Sequence, residues 1–304
     1  MKKTQKNKIV RAGFAAILGR PNAGKSTLLN QLLGTKLAAV AAKPQTTRVA
    51  IQGVLTLPGA QIAFIDTPGI HKSESALNRY MMKAVRHAAD APDIALFVID
   101  PLEPFSQADA EAVDLVKKTG APAIAVINKI DWLKEKQKIL GVIETYRKLH
   151  DFAAYVPVSA RKGTGVEDLV TEIVKHLPEG PALFPEDYLT DQPERFLAAE
   201  VIREKVLHHT EQEVPHAVAV VIEEWEETPK LLRISAAIMV ERAGQKAILI
   251  GAGGEMLKKI GSLARFELEK IYGRKVFLKT FVKVQRGWRE DPGFLGAVDW
   301  RQSS

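Results

Sequence analysis

Residues 19 to 26, Gly19-Arg20-Pro21-Asn22-Ala23-Gly24-Lys25-Ser26, constrain this chain more than any other stretch. Ahead of them, Ala12 to Leu18 is a short unbroken apolar run, the pattern of a buried strand. Behind them, Ser26 to Leu33 reads as a helix that stops at Gly34. A glycine-rich turn joining a strand to a helix N-terminus is the setting that the pattern G-x-x-x-x-G-K-[ST] requires. The glycines let backbone N–H groups close on a polyphosphate, and the helix start favours the negative charge. Lys25 can reach the β- and γ-phosphates, and the Ser26 hydroxyl can ligate Mg²⁺. The whole block, with Thr27 after it, is a candidate nucleotide site; the alternative is a glycine-rich loop with no ligand.

Length and composition frame that block. A chain of 304 residues, 46% apolar and 26% charged, allows one large domain or two ordinary ones with a sizeable core. It holds no cysteine, which excludes disulfides, a thiolate nucleophile and a thiolate metal site, and fits a reducing cytoplasm. No apolar run approaches the ~20 residues that span a bilayer. Lys2, Lys3, Lys8 and Arg11 before the apolar run to Leu18 superficially resemble a signal peptide. That run leads straight into the phosphate loop, so it reads as the first strand. The net charge of +7 is unevenly placed. Residues 185–241 hold 5 basic and 13 acidic side chains, net −8, and residues 242–289 hold 12 basic and 3 acidic, net +9. A late, concentrated positive segment points to a polyanionic partner, with a solvated basic face as the alternative.

Past the first helix, Leu37 to Ala50 shows no clear periodicity and reads as a mobile loop carrying Lys43-Pro44-Gln45-Thr46-Thr47-Arg48. Val54 to Leu57 and Gln61 to Ile65 read as strands around Pro58-Gly59, and the second runs into Asp66-Thr67-Pro68-Gly69. An aspartate at a strand end facing the phosphate loop can hold Mg²⁺ through water, and the Gly69 N–H can sense a γ-phosphate. Ile94 to Ile99 is a buried strand, Gln107 to Lys118 an amphipathic helix, and Ala123 to Ile127 a strand ending in Asn128-Lys129-Ile130-Asp131. The Asp131 carboxylate can accept from the ring N–H and amine of guanine, donors that adenine lacks in that register. The Lys129 stem can cover the base. Ala154 to Val158 is a last strand before Ser159-Ala160, where the Ala160 N–H can meet guanine O6. Val166, Leu169, Val170, Ile173, Val174 and Leu177 form a helical stripe, read as core. Strands and helices alternate, and every motif sits at a strand's C-terminal end. The expected fold is α/β, with a mostly parallel sheet and helices on both faces.

Pro178-Glu179-Gly180-Pro181 and Pro185 break the chain, which divides into a domain over 1–180, a linker over 181–192 and a second domain over 193–304. In the second, Arg195 to His208 reads as a helix. Ala217 to Ile222 and Leu231 to Val240 read as strands around an acidic turn from Glu223 to Thr228. A short helix over Gln245 to Leu249 leads to Gly251-Ala252-Gly253-Gly254, a helix to about Ile271 and a strand over Val276 to Val284. A glycine turn lets a nucleic-acid backbone approach closely, and the following helix N-terminus favours phosphate. Gly251, Ala252, Gly253, Gly254, Leu257, Lys258 and Lys259 are the candidate RNA contacts, with Arg265 and Lys275 adding positive potential. The alternative for a G-x-x-G is a tight turn.

The elements of the first part, in this order, resemble the set of Ras-like G domains over Phe14 to Leu177. The resemblance implies a GTPase that turns GTP into GDP and phosphate. It makes Thr47 the switch threonine, sets Ser26, Thr47 and Asp66 around Mg²⁺, and puts Lys25, Thr47 and Gly69 at the γ-phosphate. Thr67 and Pro68 join the nucleotide-binding set with Asn128, Lys129, Asp131, Ser159 and Ala160. Ras-type proteins place a water-orienting glutamine after the D-x-x-G element; here Ile70 stands there. The resemblance is therefore to the subfamily with an apolar residue at that place, and slow intrinsic hydrolysis is expected. Asn22 is a candidate aid, because related GTPases with an asparagine there bind K⁺, which supplies positive charge in the transition state. The alternative is that Asn22 only shapes the loop.

The helix–strand–strand–helix–helix–strand order of the second part resembles a type II KH domain, an α+β RNA-binding fold, although its G-x-x-G lacks the basic residue common in such loops. With Pro44-Gln45-Thr46-Thr47-Arg48, Phe184-Pro185-Glu186-Asp187, Asp191 to Phe196, Glu200 to Lys205 and Pro215-His216, the chain resembles the bacterial Era family over nearly its whole length. That resemblance implies a monomeric, cytoplasmic GTPase that binds the 3′ end of 16S rRNA and assists maturation of the small ribosomal subunit. Peripheral contact with the cytoplasmic face of the inner membrane has been attached to the family. The alternative is a GTPase whose C-terminal domain is a protein- or membrane-docking module.

Overall fold

A computed structural model of the chain describes residues 10–41, 43, 46–69, 76, 77, 79, 81, 82 and 90–298. The chain divides into two compact units, Met1–Leu37 with Thr47–Lys72 and Met81–Asp191, and Ala38–Thr46 with Ser73–Tyr80 and Gln192–Ser304.

The first unit is built on strands β1 (Val10–Leu18), β2 (Ile51–Leu57), β3 (Ala60–Asp66), β4 (Ile94–Ile99), β5 (Ala123–Ile127) and β6 (Ala154–Pro157), in the order β2-β3-β1-β4-β5-β6. Every neighbouring pair is parallel except the β2–β3 hairpin. β4 and β5 are buried along their whole length, as strands covered on both faces must be. Among the described residues the unit also holds helices α1 (Lys25–Leu33), α2 (Gln107–Thr119), α3 (Lys138–Arg147) and α4 (Val166–His176). On one face Phe97, Val113, Val116, Ile127 and Phe152 form a continuous core. The chain leaves β1 toward β3 on one side and β4 on the other, and the phosphate loop follows β1 at that switch point.

The expected linker does not hang free. A short strand β7 (Glu179–Gly180) pairs antiparallel with the start of β1. Gln61, fully buried, then holds the next residues: its Oε1 accepts from the N–H groups of Leu183 and Phe184 at 2.8 Å, and its Nε2 donates to Phe184 O at 3.0 Å. Val54 N donates to Leu189 O at 2.7 Å, adding a rung beside the hairpin.

The second unit runs α5 (Glu194–His209), β8 (Ala219–Glu227), β9 (Leu231–Val240), α6 (Ala243–Ile250), α7 (Glu255–Tyr272), β10 (Lys275–Val284) and α8 (Pro292–Val298). The sheet order is β10-β9-β8, with β9–β10 parallel and β8–β9 antiparallel. Ile202, Val206, Ile234, Ile238, Ile260 and Leu268 lie in its core. The expected acidic turn over Glu223 to Thr228 is corrected here. β8 continues to Glu227 through a bulge between Ile222 and Glu224, and Trp225 pairs with Ile234. A bulge re-aims an edge strand, so its carboxylates stay in water while its backbone stays paired. Among the described residues, no helix is long and apolar enough to cross a membrane.

Candidate functional site

The phosphate loop needs its glycines. Gly19 and Gly24 take φ of +144° and +96°, and an added Cβ would sit 2.5 Å from Val98 O and 2.3 Å from Asn128 Nδ2. α1 begins at Lys25, so its first N–H groups open onto the loop. Lys25 is 6% exposed and its ammonium donates to Gly19 O at 3.0 Å and Arg20 O at 2.9 Å. Burial lowers its pKa to about 8, against the opposing pull of Asp66. Asp66 is fully buried, and burial raises its carboxyl to about 6, against Lys25 and hydrogen bonds from Ser26, Thr47 and Thr67.

Three oxygens converge beside that cradle. Ser26 Oγ donates to Asp66 Oδ2 at 2.7 Å, and Thr47 Oγ1 lies 2.6 Å from Ser26 Oγ and 3.5 Å from Asp66 Oδ2. Asp66 Oδ1 is buried without a hydrogen-bond partner. Two hydroxyls and a carboxylate with an orphaned oxygen are an all-oxygen donor set, the chemistry that suits Mg²⁺. Thr67 Oγ1 donates to Ile17 O at 2.8 Å, which fixes the following turn to β1. Gly69 lies so close to the phosphate loop that a Cβ would meet Pro21 Cα at 2.8 Å.

On the base side, Asn128 is the joint. Its Nδ2 donates to Ala23 O at 2.9 Å and its Oδ1 accepts from Ala160 N at 3.0 Å, so the N–H expected for guanine O6 is shared with this amide. Lys129, at φ +59°, lays its stem toward the loop and donates to Asn22 O at 2.7 Å and Asp100 Oδ2 at 2.6 Å. Ser159 Oγ donates to Asp131 Oδ1 at 2.8 Å, which orients that carboxylate. The exposed Asn22 takes φ +61°. All the first-unit site residues named from sequence thus gather at the C-terminal ends of β1, β3, β5 and β6. Ile70, Pro44 and Gln45 lie outside the described residues.

Other residues of the site escaped the sequence reading. Arg20 reaches Asp109 at 3.2 Å and Asp100 at 3.8 Å, and Tyr146 donates to Asp109 Oδ1 at 2.9 Å. Its hydroxyl is pushed up by burial and by Asp109. This clamp fixes the loop's second residue to the start of α2. Asp100 ends the strand β4 region as Asp66 ends β3, which is a usable signal; Asp109 shows only as the N3 acid of a capping box with Ser106. In the second unit, Glu204 Oε2 accepts from Val40 N at 2.7 Å, and Arg203 donates to Thr46 O while pairing with Glu200 at 2.6 Å. Both are almost fully buried.

In the second unit, Gly251 and Gly254 take φ of +72° and +85°, and a Cβ on Gly251 would meet Met256 Cβ at 2.8 Å. Gly253, at φ +58°, has open space around it. Gly254 caps the 18-residue α7. A hollow of about 350 Å³ opens beside the cap, lined by Gly254, Leu257, Lys258, Arg265 and, from the facing elements, Leu278 and Thr280. Gly261 makes it possible, since a Cβ there would sit 3.3 Å from Thr280 Oγ1. The structure brings Gly254, Leu257 and Lys258 to this groove; Gly251, Ala252, Gly253 and Lys259 are not in its lining, and Gly261, Ser262, Leu278 and Thr280 were not foreseen.

Comparison with known proteins agrees with both halves. Residues 14–129 match the family described as 50S ribosome-binding GTPase, and residues 213–289 match the KH domain. The chain is 49% identical to GTPase Era of Geobacter metallireducens over 287 residues, 94% of this chain and 96% of that protein. Two solved Era structures each superpose with a TM-score of 0.92 at 42% identity, covering 95% of this chain and 99% of theirs. One is an Aquifex aeolicus Era variant bound to GDP.AlF4−, and the other is Era in complex with MgGDPNP and nucleotides 1506–1542 of 16S ribosomal RNA. With the phosphate cradle, the oriented Asp131 carboxylate and the glycine-capped groove in one chain, this protein belongs to the Era family of GTPases.

Proposed function

We propose that this GTPase binds the 3′ end of 16S rRNA through the groove beside Gly254 and uses its nucleotide state to time that binding during small-subunit assembly. The observation that carries the reading is the groove itself: a glycine-capped helix N-terminus, an apolar wall at Leu257 and Leu278, and cations at Lys258 and Arg265. Such a groove takes single-stranded RNA with its backbone at the cap and its bases against the wall. The solved Era complex with a 16S fragment supports it. The protein acts as a monomer in the cytoplasm, and any touch on the cytoplasmic face of the membrane falls to its basic surface.

Ser26, Thr47 and Asp66 would hold Mg²⁺, which when bound would neutralise phosphate charge. Lys25 meets the same oxygens, and the Gly69 N–H senses the γ-phosphate. Residues 38–46 group with the second unit through Arg203 and Glu204, and Thr47 follows them directly in the chain. A γ-phosphate that orders Thr47 therefore pulls on a segment the RNA-binding unit holds. RNA affinity should be ~5–100-fold tighter with a non-hydrolysable GTP analogue than with GDP at one salt concentration. Thr47→Ala should erase most of that ratio, and Gly253→Asp should weaken RNA in both states. Equal affinities with the two nucleotides would remove the switch, and binding that ignores salt would favour a protein-docking module. K⁺ beside Asn22 is part of the same reading: turnover should be faster in potassium than in sodium, and Asn22→Ala should abolish the difference without disturbing GDP binding.

A further inference from the structure

β10 alternates two kinds of residue. Val276, Leu278 and Val282 face the helices and join the core. Lys275, Phe277, Lys279, Phe281 and Lys283 therefore point to the opposite face of the sheet. β10 is an edge strand, so this ladder runs along a border of the sheet. Phe277 is 56% exposed and Lys275, Lys279 and Lys283 are exposed. Across the register, Phe277 sits opposite Arg233, Lys279 opposite Ser235 and Phe281 opposite Ala237. A hollow of about 140 Å³ opens beside Phe277, lined also by Arg233, Ser235 and Lys279 with Glu224 and Glu226 on its far side. Arg233 lies 6.0 Å from the Phe277 ring centre, and Lys283 Nζ lies 4.9 Å from that of Phe281.

Edge lysines alone are a common guard against strand-to-strand aggregation. That guard does not account for an open aromatic ring between them, beside a hollow. We propose that this face is a second RNA surface, distinct from the groove on the helical side, on which a single strand lays its phosphates along Lys275, Lys279 and Lys283 and stacks bases on Phe277 and Phe281. The charge pattern sets the orientation. The cations lie on β10, whereas Glu224 and Glu226 lie on β8, so a polyanion is held to the outer edge and its bases turn inward over β9. Glu223 pairs with Lys283 at 2.5 Å, which leaves Lys275 and Lys279 as the free cations of the track among the described residues. Successive lysines of the track are four positions apart, about 13 Å along the strand, with one phenylalanine between each pair, so the track offers a cation at about every second nucleotide of an extended strand. Sequence-tolerant stacking on aromatics beside a basic track is how single strands are bound without base readout.

The inference rests on the reading of this unit as RNA-binding, and the test separates the two. The full-length protein is cross-linked by ultraviolet light to 16S rRNA, and the cross-linked peptides are identified by mass spectrometry. Affinity for nucleotides 1506–1542 of 16S rRNA and for the whole 16S rRNA is measured alongside. Cross-links on residues 275–283 are expected in addition to those near Gly254. Phe277→Ala with Phe281→Ala should weaken binding of 16S rRNA at least tenfold with GTP turnover and thermal midpoint unchanged, and Phe277→Trp should retain it. Lys279→Glu should lower the salt dependence of binding as well as the affinity. If the paired variant binds like the wild type and 275–283 stay free of cross-links while Gly253→Asp still weakens binding, the second surface is wrong and the groove reading stands. If no RNA is bound by the wild type, both fall.

Discussion

The two lysines proposed to meet phosphate, Lys25 in the cradle and Lys258 at the groove, stand in opposite solvation. Lys25 is 6% exposed, hydrogen-bonded to two loop carbonyls, and lowered by burial to about 8. Lys258 stands exposed at the rim of an open groove. A buried cation has already lost its water, so it meets a phosphate at full strength but must be held in one place by the fold. An exposed cation keeps its water and its freedom, and contributes by releasing counterions from the polyanion. On that reading the cradle should owe its affinity to geometry, and the groove a large share to ionic strength.

The sharpest way to break this contrast is to remove one lysine from each side. Lys25→Ala should weaken GTP by about 2–5 kcal/mol, roughly 30- to 5,000-fold, because it deletes a desolvated partner of the phosphates. Lys258→Ala should cost RNA affinity about tenfold or less at low salt and reduce the salt slope by about one. Calorimetry for GTP and anisotropy for RNA across a salt series read both. Similar losses on both sides, or a GTP affinity as salt-sensitive as that for RNA, would erase the distinction.

A second probe asks whether geometry sets specificity in the cradle as well. Ser159 Oγ donates to the Asp131 carboxylate at 2.8 Å, so in the proposed site the base would meet an oriented group. Asp131→Asn should weaken GTP by about 2–4 kcal/mol and favour xanthosine triphosphate, whose 2-oxo group needs a donor. Equal affinity of the wild type for ATP and GTP would sink the assignment.

The same contrast explains what could be read from the sequence. The cradle's chemistry sits in short contiguous pieces, because each piece is a strand end with its following turn. Gly19 to Ser26, Asp66 to Gly69, Asn128 to Asp131 and Ser159-Ala160 could be placed without coordinates. Asp109 could be placed only as the N3 acid of a capping box with Ser106; its pairing with Arg20, 89 positions away, could not. Gln61 was equally silent: a buried glutamine in a strand gives no sign that it will hold Leu183 and Phe184. The groove was legible only at its glycine cap. Its other wall comes from Gly261, Leu278 and Thr280, which read as ordinary helix and strand residues. α3 also went unread, since its Leu140 is 65% exposed and its apolar stripe is weak. The acidic stretch after Ile222 read as a turn because five residues with four carboxylates look solvated, and the bulge that lets them be both solvated and paired is a property of the backbone.

The smallest expected effect concerns pH, and it should appear only on the cradle side. Burial raises Asp66 from 3.8 to about 6 and lowers Lys25 from 10.5 to about 8. Between 3.8 and about 6 the folded protein binds more protons than the unfolded chain at Asp66, so stability falls as pH rises through that window. Between about 8 and 10.5 the unfolded chain binds more protons at Lys25, so stability rises with pH there. From these two groups, the protein without nucleotide is least stable between about 6 and 8, where both buried charges are formed. Mg²⁺ and phosphate need those same two charges. Nucleotide affinity should therefore be greatest in that window, falling by up to about tenfold per pH unit below 6 as Asp66 takes a proton and above 8 as Lys25 loses one. The stabilisation by Mg²⁺ and a GTP analogue in thermal melts should follow the same bell. RNA affinity, set at the open groove and not in the buried cradle, should not follow that bell. A flat nucleotide profile, or an RNA profile that bends with it, would mean that the two kinds of phosphate site are not separated by burial.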